Sequence, residues 1–513
     1  MKWKLELSFE PGALLLLTKV SKFLTKQGIK SYLVGGFVRD LLLRRDTADI
    51  DMAVAADALE IASEVAAVVN GRYVPLDEVN KIGRVVIANE GTAPTSGQWV
   101  LDFSTVKDNI EQDLAQRDFT VDAMSVDLGE VANQPNSRDE SGRDRVDVQL
   151  IDPFGGRNDL AQGIIRAVNK AVFESDAARL LRAVRLAAEL GFSIDKEAEA
   201  LIRRYRHLVA GVAGERVREE LLRILAVPQA GQLLSYLDEL GLVTATIPEL
   251  NQAKGVGQPK EHFWNVFDHS IRAVMAVDFL LRQGDCEYAD KEVLAVVPWS
   301  EVLAWHFDRE VSHGSTRRSL LKLAALLHDV AKPQTKAIHE GGRMRFLGHA
   351  REGAAIAVDV LERLRFSNKE IKLVETVVRH HLRPGQISHT ELPSRRAIYR
   401  YFRDTGEAGI DTLFLSLADH LATRGPHLDI VQWREHAQMV EYVLTQRFRE
   451  ETVVTPPKLI DGHDLINTFG MSPGPKIGEL LEKAREAQAA GELTTREEAL
   501  SYIRDCLLTK ANG

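Results

Sequence analysis

A chain of 513 residues with 45% hydrophobic and 27% charged residues has the size of roughly three domains and the balance of a globular protein. Its early apolar run, Ala13 to Leu17, is too short to span a membrane, and Cys286 and Cys506 form no metal or redox motif, so a reduced, cytoplasmic protein is expected. A net charge of −9 excludes a global basic field, so any contact with nucleic acid needs a local basic face.

Residues 1–30 read as a strand and a helix ending near Gly28. A short strand, Tyr32 to Val34, then meets Gly35 and Gly36, and an amphipathic helix is predicted from Phe37 to Arg45. Glycine lets backbone approach a ligand closely, and a helix start offers free N–H groups to phosphate. The next strand, Asp49 to Val54, puts Asp49 and Asp51 on one face while Ile50 turns inward. Two neighbouring carboxylates repel unless a cation sits between them, and Mg²⁺ is the hard ion that accompanies phosphates. A glycine phosphate turn followed by a two-carboxylate seat is the layout of metal-dependent nucleotidyl transfer.

The order Gly35-Gly36-Phe37-Val38-Arg39-Asp40, helix, Asp49-Ile50-Asp51 resembles the class II tRNA nucleotidyltransferase and bacterial poly(A) polymerase superfamily. That resemblance implies catalytic, Mg²⁺-holding roles for Asp49 and Asp51, with Gly35, Gly36 and Arg39 facing the triphosphate. A helix with Asp57 as N-cap runs to Val69, followed by strands Arg72–Leu76 and Ile82–Ala88, a polar turn over 89–98, and strand Trp99–Ser104. Asp102 on that strand is either a third catalytic carboxylate or an edge aspartate facing water.

Asp113 to Met124 is similar to the family motif that contacts the incoming nucleotide's sugar and phosphates, which implies binding roles for Arg117 and Asp118. Gln116 and Asp122 depart from it, replacing an arginine and an asparagine. Residues 129–146 read as a loose hairpin, and Asp152-Pro153-Phe154-Gly155-Gly156 as structural punctuation closing the domain. The segment from Phe173 to Leu186 resembles the family's nucleotide-recognition helix, carrying Asp176, Arg179 and Arg182, the first two at i and i+3 on one face. Arg203, Arg204, Arg206, Arg216, Arg218 and Arg223 are the candidate basic surface for RNA phosphate.

Beyond residue 260 a second chemistry begins. His269, His328, Asp329 and Asp419 supply imidazole and carboxylate donors from several helices, a set that suits a mid-row divalent metal. They resemble the HD-superfamily phosphohydrolase pattern, in which His349 and His380 match the extra histidines of some members, with His381 able to take the place of His380. The helical segments after residue 457 resemble the same family's C-terminal region and carry no chemistry.

The expected fold is α+β: a nucleotidyltransferase α/β head over 1–163, an all-α neck and body over 164–255, an all-α HD domain over 256–430 and a helical tail over 431–513. The resemblance implies CCA addition to tRNA from CTP and ATP, with Mg²⁺ in the head and Ni²⁺, Mn²⁺ or Mg²⁺ in the HD domain. No membrane or protein partner is implied. A-only, CC-only or poly(A) addition, an HD hydrolase with a silent head, and RNA binding without chemistry stay open.

Overall fold

Strands alternating with amphipathic helices in the first part of the chain build one mixed sheet. The computed structural model describes residues 2–88, 98–132, 137–140, 142–312, 314–338, 343–387, 392–449 and 456–511. The chain divides into two units, Met1–Gly211 and Val212–Gly513.

The first unit runs β1 (Lys2–Phe9), α1 (Pro11–Lys26), β2 (Ser31–Val34), α2 (Gly35–Leu42), β3 (Asp49–Val54), α3 (Ala58–Val69), β4 (Arg72–Asp77), β5 (Ile82–Ala88) and β6 (Gln98–Thr105). It continues through α4 (Ile110–Ala115), β7 (Ser125–Asp127), α5 (Leu128–Ala132), β8 (Ser137–Arg138), β9 (Asp144–Ile151) and α6 (Gly156–Gln162). The sheet order is β1-β9-β7-β2-β3-β6-β5-β4, with β8 on β9; β3 and β6 are parallel and the other pairs antiparallel. Register is what matters for function. Ile50, Leu101 and Val85 face one another across β3, β6 and β5, buried on the side where α3 packs. The next row, Asp51, Asp102 and Arg84, must therefore point to the opposite face.

Local chemistry sets the ends. Asp57 caps α3 through its carboxylate, which accepts from the Leu59 N–H at 3.0 Å. Helix α2 begins at Gly35, two residues earlier than the periodicity predicts, because Gly35 takes φ +66 directly at the strand end. The predicted turn at 89–98 lies outside the described residues up to 97. Instead of a loose hairpin over 129–146, the chain forms α5, β8 and the start of β9, with 133–136 and 141 outside the described residues. After α6 come β10 (Ile164–Ile165), α7 (Val172–Ser175), α8 (Arg179–Leu190), β11 (Ser193–Ile194) and α9 (Lys196–Tyr205), β10 and β11 pairing in parallel.

The second unit is helical. It holds α10 (Gly214–Ala226), α11 (Ala230–Glu239), α12 (Leu242–Thr246), α13 (Val266–Leu280), α14 (Lys291–Ala295), α15 (Glu301–Asp308), α16 (Arg317–Leu327) and α17 (Lys332–Thr335). Then follow α18 (His349–Arg363), α19 (Asn368–His380), α20 (Arg383–Ile387), α21 (Arg395–Thr405), α22 (Gly409–Arg424) and α23 (Ile430–Arg449). Two small hairpins interrupt the helices: β12 (Glu310–Ser312) with β13 (Ser315–Thr316), and β14 (Lys336–Ile338) with β15 (Met344–Phe346). Helix α22 buries Leu413, Phe414, Leu415, Leu417, Ala418 and Leu421, apolar on every side, and is packed by α13, α16 and α19. The tail helices α24 (Gly462–Phe469), α25 (Pro475–Ala489) and α26 (Arg496–Ala511) share their own core around Leu465, Leu480 and Ile503. Among the described residues no helix is long and apolar enough to cross a membrane.

The Asp152–Gly156 turn is structural. Buried Asp152 accepts the Gly156 N–H at 2.8 Å and the Arg157 N–H at 3.0 Å, capping α6. A Cβ on Gly156 would fall 2.0 Å from the Thr120 carbonyl oxygen, a backbone atom with nowhere to go, whereas Gly155, at φ +76, has open space around it. Gly156→Ala should therefore cost about 3 kcal/mol or more from overpacking, and Gly155→Ala only about 1–2 kcal/mol of left-handed strain. Denaturant midpoints of the two variants check the order; equal losses would contradict it.

Candidate functional sites

The sheet register assembles the first site. Asp49 and Asp51 stand on one face of β3, and Asp102 is the direct parallel-strand neighbour of Asp51. Asp102 therefore faces its fellow carboxylates, with a partner the sequence did not reveal. Arg84 donates from Nε to Oδ1 and from Nη2 to Oδ2, both at 2.7 Å, in a forked pair. Its signal was a cross-strand register that only the fold supplies.

Asp51 is the crowded member. Burial raises it, Asp102 and Asp122 add to the rise, and Arg117 with the Phe37 N–H opposes them, leaving it up at about 6. The two glycines make room for this cluster. A Cβ at Gly35 would lie 2.6 Å from Arg117 Nη1 and 3.2 Å from Asp51 Oδ2; at Gly36 it would lie 3.4 Å from Asp51 Oδ2. Hard oxygen donors on one face of two neighbouring middle strands, with one acid driven upward, are a donor set that fits a divalent cation.

Arg39 differs from the expectation that it faces a triphosphate. Its guanidinium is spent on Asp40 through Nε (2.9 Å) and Nη2 (3.0 Å), and on Asp122 through Nη1 (2.6 Å). Asp122 replaces the family asparagine, is buried, and is raised by that burial against the pull of Arg39. The substitution thus gives Arg39 a second internal acid, and Arg39 serves as a brace. Arg117 contacts Asp113 at 3.3 Å and lies under Gly35. Asp118 is buried, with Arg182 Nε 2.9 Å from its Oδ2.

The predicted recognition helix is broken at its key residue. Asp176 lies outside the helix, extended between α7 and α8, and its Oδ1 accepts the Ala178 N–H at 3.1 Å. A turn, not a helical face, brings it within 3.6 Å of Arg179 Nε. Arg179 also donates to the Gln116 carbonyl at 3.0 Å, so Arg179 and Arg182 both reach the 113–124 motif. The candidate RNA surface is divided: Arg203, Arg204 and Arg206 lie in the first unit, and Arg216, Arg218 and Arg223 in the second.

The second site is buried among α13, α16, α18, α19 and α22. His269 Nε2 lies 3.4 Å from Asp329 Oδ2 and 3.1 Å from Asp419 Oδ1, and His328 Nε2 lies 3.2 Å and 3.8 Å from the same two atoms. On the other oxygen of Asp329, Oδ1, His349 Nε2 stands at 3.4 Å and His381 Nε2 at 3.9 Å. His381, not His380, completes this set. It follows the end of α19 and turns into the core, whereas His380 points away, half-buried, toward Arg379 and Asp404.

One carboxylate thus bridges two ligand triads, His269-His328-Asp329 and Asp329-His349-His381. Three rings are fixed from behind: His328, His349 and His381 donate Nδ1–H to the Ala325, Phe346 and Val378 carbonyls at 2.7, 2.6 and 2.7 Å, which leaves each Nε2 lone pair inward. Burial holds His381 down at about 4, while Asp329 and Asp419 outweigh burial and push His328 up to about 10, so its Nε2 lone pair is offered only when a cation displaces that proton. Neither Asp329 oxygen receives a hydrogen bond, although Lys332 Nζ forms an ion pair with Oδ2 at 2.6 Å. Imidazole lone pairs converging on an under-satisfied buried carboxylate fit a transition-metal pair. Lys332, three residues past Asp329 and held by Gln258 at 2.6 Å, was missed by sequence reasoning; its i+3 spacing was the available signal.

The sequence matches three families: the poly A polymerase head domain over 31–166, the probable RNA and SrmB-binding site of polymerase A over 191–254, and the HD domain over 290–424. His269 precedes the last range, yet the fold delivers it to the cluster. The chain is 32% identical over 478 residues to an A-adding tRNA nucleotidyltransferase of Deinococcus radiodurans, covering 92% of this chain and 94% of that one. It is 32% identical over 480 residues to a CC-adding tRNA nucleotidyltransferase of Thermus thermophilus, covering 92% of each. The fold matches a Thermotoga maritima CCA-adding enzyme complexed with tRNA at TM-score 0.56 and 20% identity, over 97% of this chain and 96% of that one.

Asp51 yields a pH test. Its folded pKa of about 6 exceeds the ordinary aspartate value, so between about pH 4 and pH 6 the folded chain keeps a proton that the unfolded chain has released. Stability is therefore lost as pH rises through that window. In chelator, Asp51→Asn should melt above the parent at pH 7.5, and the gap should close toward pH 4; a gap independent of pH would contradict this.

Proposed function

The chain belongs to the tRNA nucleotidyltransferase family with a poly(A) polymerase-type head, and from that membership we propose that it adds C and A residues from CTP and ATP to the 3′ end of tRNA. The observation that carries this reading is the cross-strand row of Asp51 and Asp102 beside Asp49, backed by a Gly35–Gly36 turn that has Arg117 beneath it. Asp49 and Asp51 would hold Mg²⁺. When bound, the ion compensates triphosphate charge and lowers the pKa of the attacking hydroxyl.

The chain's own residues do the rest. The α2 backbone start and Arg117 meet the phosphates, and Asp102, oriented by the Arg84 fork, stands where it can accept the RNA hydroxyl proton. Asp176 can accept from the amino group that cytosine and adenine share, while Arg179 donates to the adjacent ring acceptor; uracil and guanine present the reverse pattern. Binding of Asp118 to Arg182 and of Gln116 to Arg179 supports joint action of the recognition residues and the 113–124 motif.

The proposed organisation keeps a head over 1–163, a neck and body over 164–255, an HD domain over 256–430 and a tail over 431–513. His269, His328, Asp329, Asp419, His349 and His381 would hold Mn²⁺, Ni²⁺ or Mg²⁺ and hydrolyse a phosphoester, with Lys332 offering a cation to its oxygens. A cytoplasmic location follows from a tRNA substrate.

Partial addition is the second reading, because relatives matched over more than nine-tenths of their length include A-adding and CC-adding enzymes. tRNA transcripts ending before the first C, after one C and after both, each with CTP and ATP, separate the cases. Extension of all three to the full terminus is expected. Extension of only the last substrate, by A, or arrest after the second C supports the partial reading, and no extension overturns both. Asp51→Ala should lose addition while His328→Ala keeps it; joint loss in folded variants would show that the two sites depend on each other.

A further inference from the structure

The second unit carries a cavity of about 790 Å³ that shares no ligand with the metal cluster. It lies between the outer stripe of α19, the end of α21 and the β12 hairpin. Helix α19 separates the two places: its last residue, His380, lines the cavity, and the next, His381, belongs to the cluster.

The walls differ in charge. On α19, Lys369, Lys372 and Arg379 stand one above another at helical spacing. Lys372 Nζ (3.1 Å) and Arg379 Nη2 (2.7 Å) share the single carboxylate of Glu375, and among the described residues Lys369 forms no ion pair. Three cations against one carboxylate leave a surplus of two positive charges on this wall. A phosphate monoester carries about −1.5 to −2 at neutral pH, which matches that surplus.

Across the cavity the charge is balanced: Glu310, Asp404 and Glu407 stand with Arg309, Arg317 and Arg403. Glu407 is only loosely engaged, by Arg309 at 3.6 Å and Arg317 at 3.5 Å. Free carboxylate lone pairs suit hydroxyl donors such as a ribose diol. Arg317 in the lining is 2% exposed and paired with buried Asp411, and among the described residues its Nε has no hydrogen-bond partner. Leu373 and Val311 add an apolar strip for a flat ring. The volume falls within the usual range of about 300–1,000 Å³ for small-molecule sites and is far larger than a free phosphate needs.

We propose that this cavity binds a nucleoside monophosphate, with the phosphate on the Lys369–Lys372–Arg379 wall and the ribose hydroxyls toward Glu407. The site is separate from the head, where triphosphates would react, and from the metal cluster.

Calorimetry on the full chain with AMP, CMP, GMP and UMP tests this, with adenosine and inorganic phosphate as half-ligands. At least one monophosphate should bind more tightly than about 1 mM, and each half-ligand should bind at least about tenfold more weakly. The double variant Lys369→Ala, Lys372→Ala should lose about tenfold or more in affinity, and arginine at both positions should restore it. Both lysines are exposed, so folding is preserved, and nucleotide addition should be unchanged. Asp51→Ala should leave this binding intact. Failure of all four monophosphates, full affinity in the double-alanine variant, loss in Asp51→Ala, or binding displaced by tRNA alone would each overturn the assignment.

Discussion

Crowding of carboxylates on one face of the two middle strands β3 and β6 is the constraint on which the first unit depends. Asp49, Asp51 and Asp102 are forced onto one face because Ile50 and Leu101 must be buried beneath α3 on the other. The fold manages this charge with nearby cations. Arg84 grips Asp102, Arg117 presses toward Asp51, and Arg39 holds Asp122. Asp51 is raised to about 6, chiefly by burial, with Asp102 and Asp122 adding to the rise. That carboxylate cluster is what would draw a cation and a triphosphate together. The glycines at 35 and 36 follow from the same crowding, since a side chain there would occupy the space of Arg117 or Asp51.

The second unit solves a different problem. Its ligands are mostly imidazoles, buried among helices, three of them aimed by backbone carbonyls, while Asp419 keeps partial exposure. A shared Asp329 carboxylate joins the two triads, so six side chains from five regions converge with few atoms to spare. Hard oxygens on a sheet face and imidazole nitrogens in a helical core favour different ions and different chemistry. The net charge of −9 is compatible with both, because each site works through local charge.

Much of this was legible in the sequence because period-2 and helical patterns fix which face a side chain takes. Asp49 and Asp51 at i and i+2 and the Asp57 cap follow from such rules, while the imidazole and carboxylate array was legible through its donor types and its resemblance to the HD pattern. What stayed hidden depends on cross-strand register or on one residue of helical phase. Arg84 meets Asp102 only because β5 pairs with β6 in one particular alignment. His380 and His381 differ by about 100° around α19, and the turn after its end decides which enters the core. Asp176 falls in a segment that resembles a recognition helix, yet its own carboxylate competes for a local N–H and stands outside the helix.

The central claim is that the β3 carboxylates gather the cation that meets the triphosphate. The most direct measurement is a crystal soaked with Mn²⁺ and a non-hydrolysable CTP analogue, read by anomalous scattering. A peak bounded by Asp49 and Asp51, with the nucleotide's phosphates beside Gly35 and Gly36, is the expected result. Nucleotide bound with no cation at β3, or with its cation elsewhere in the first unit, would contradict the account.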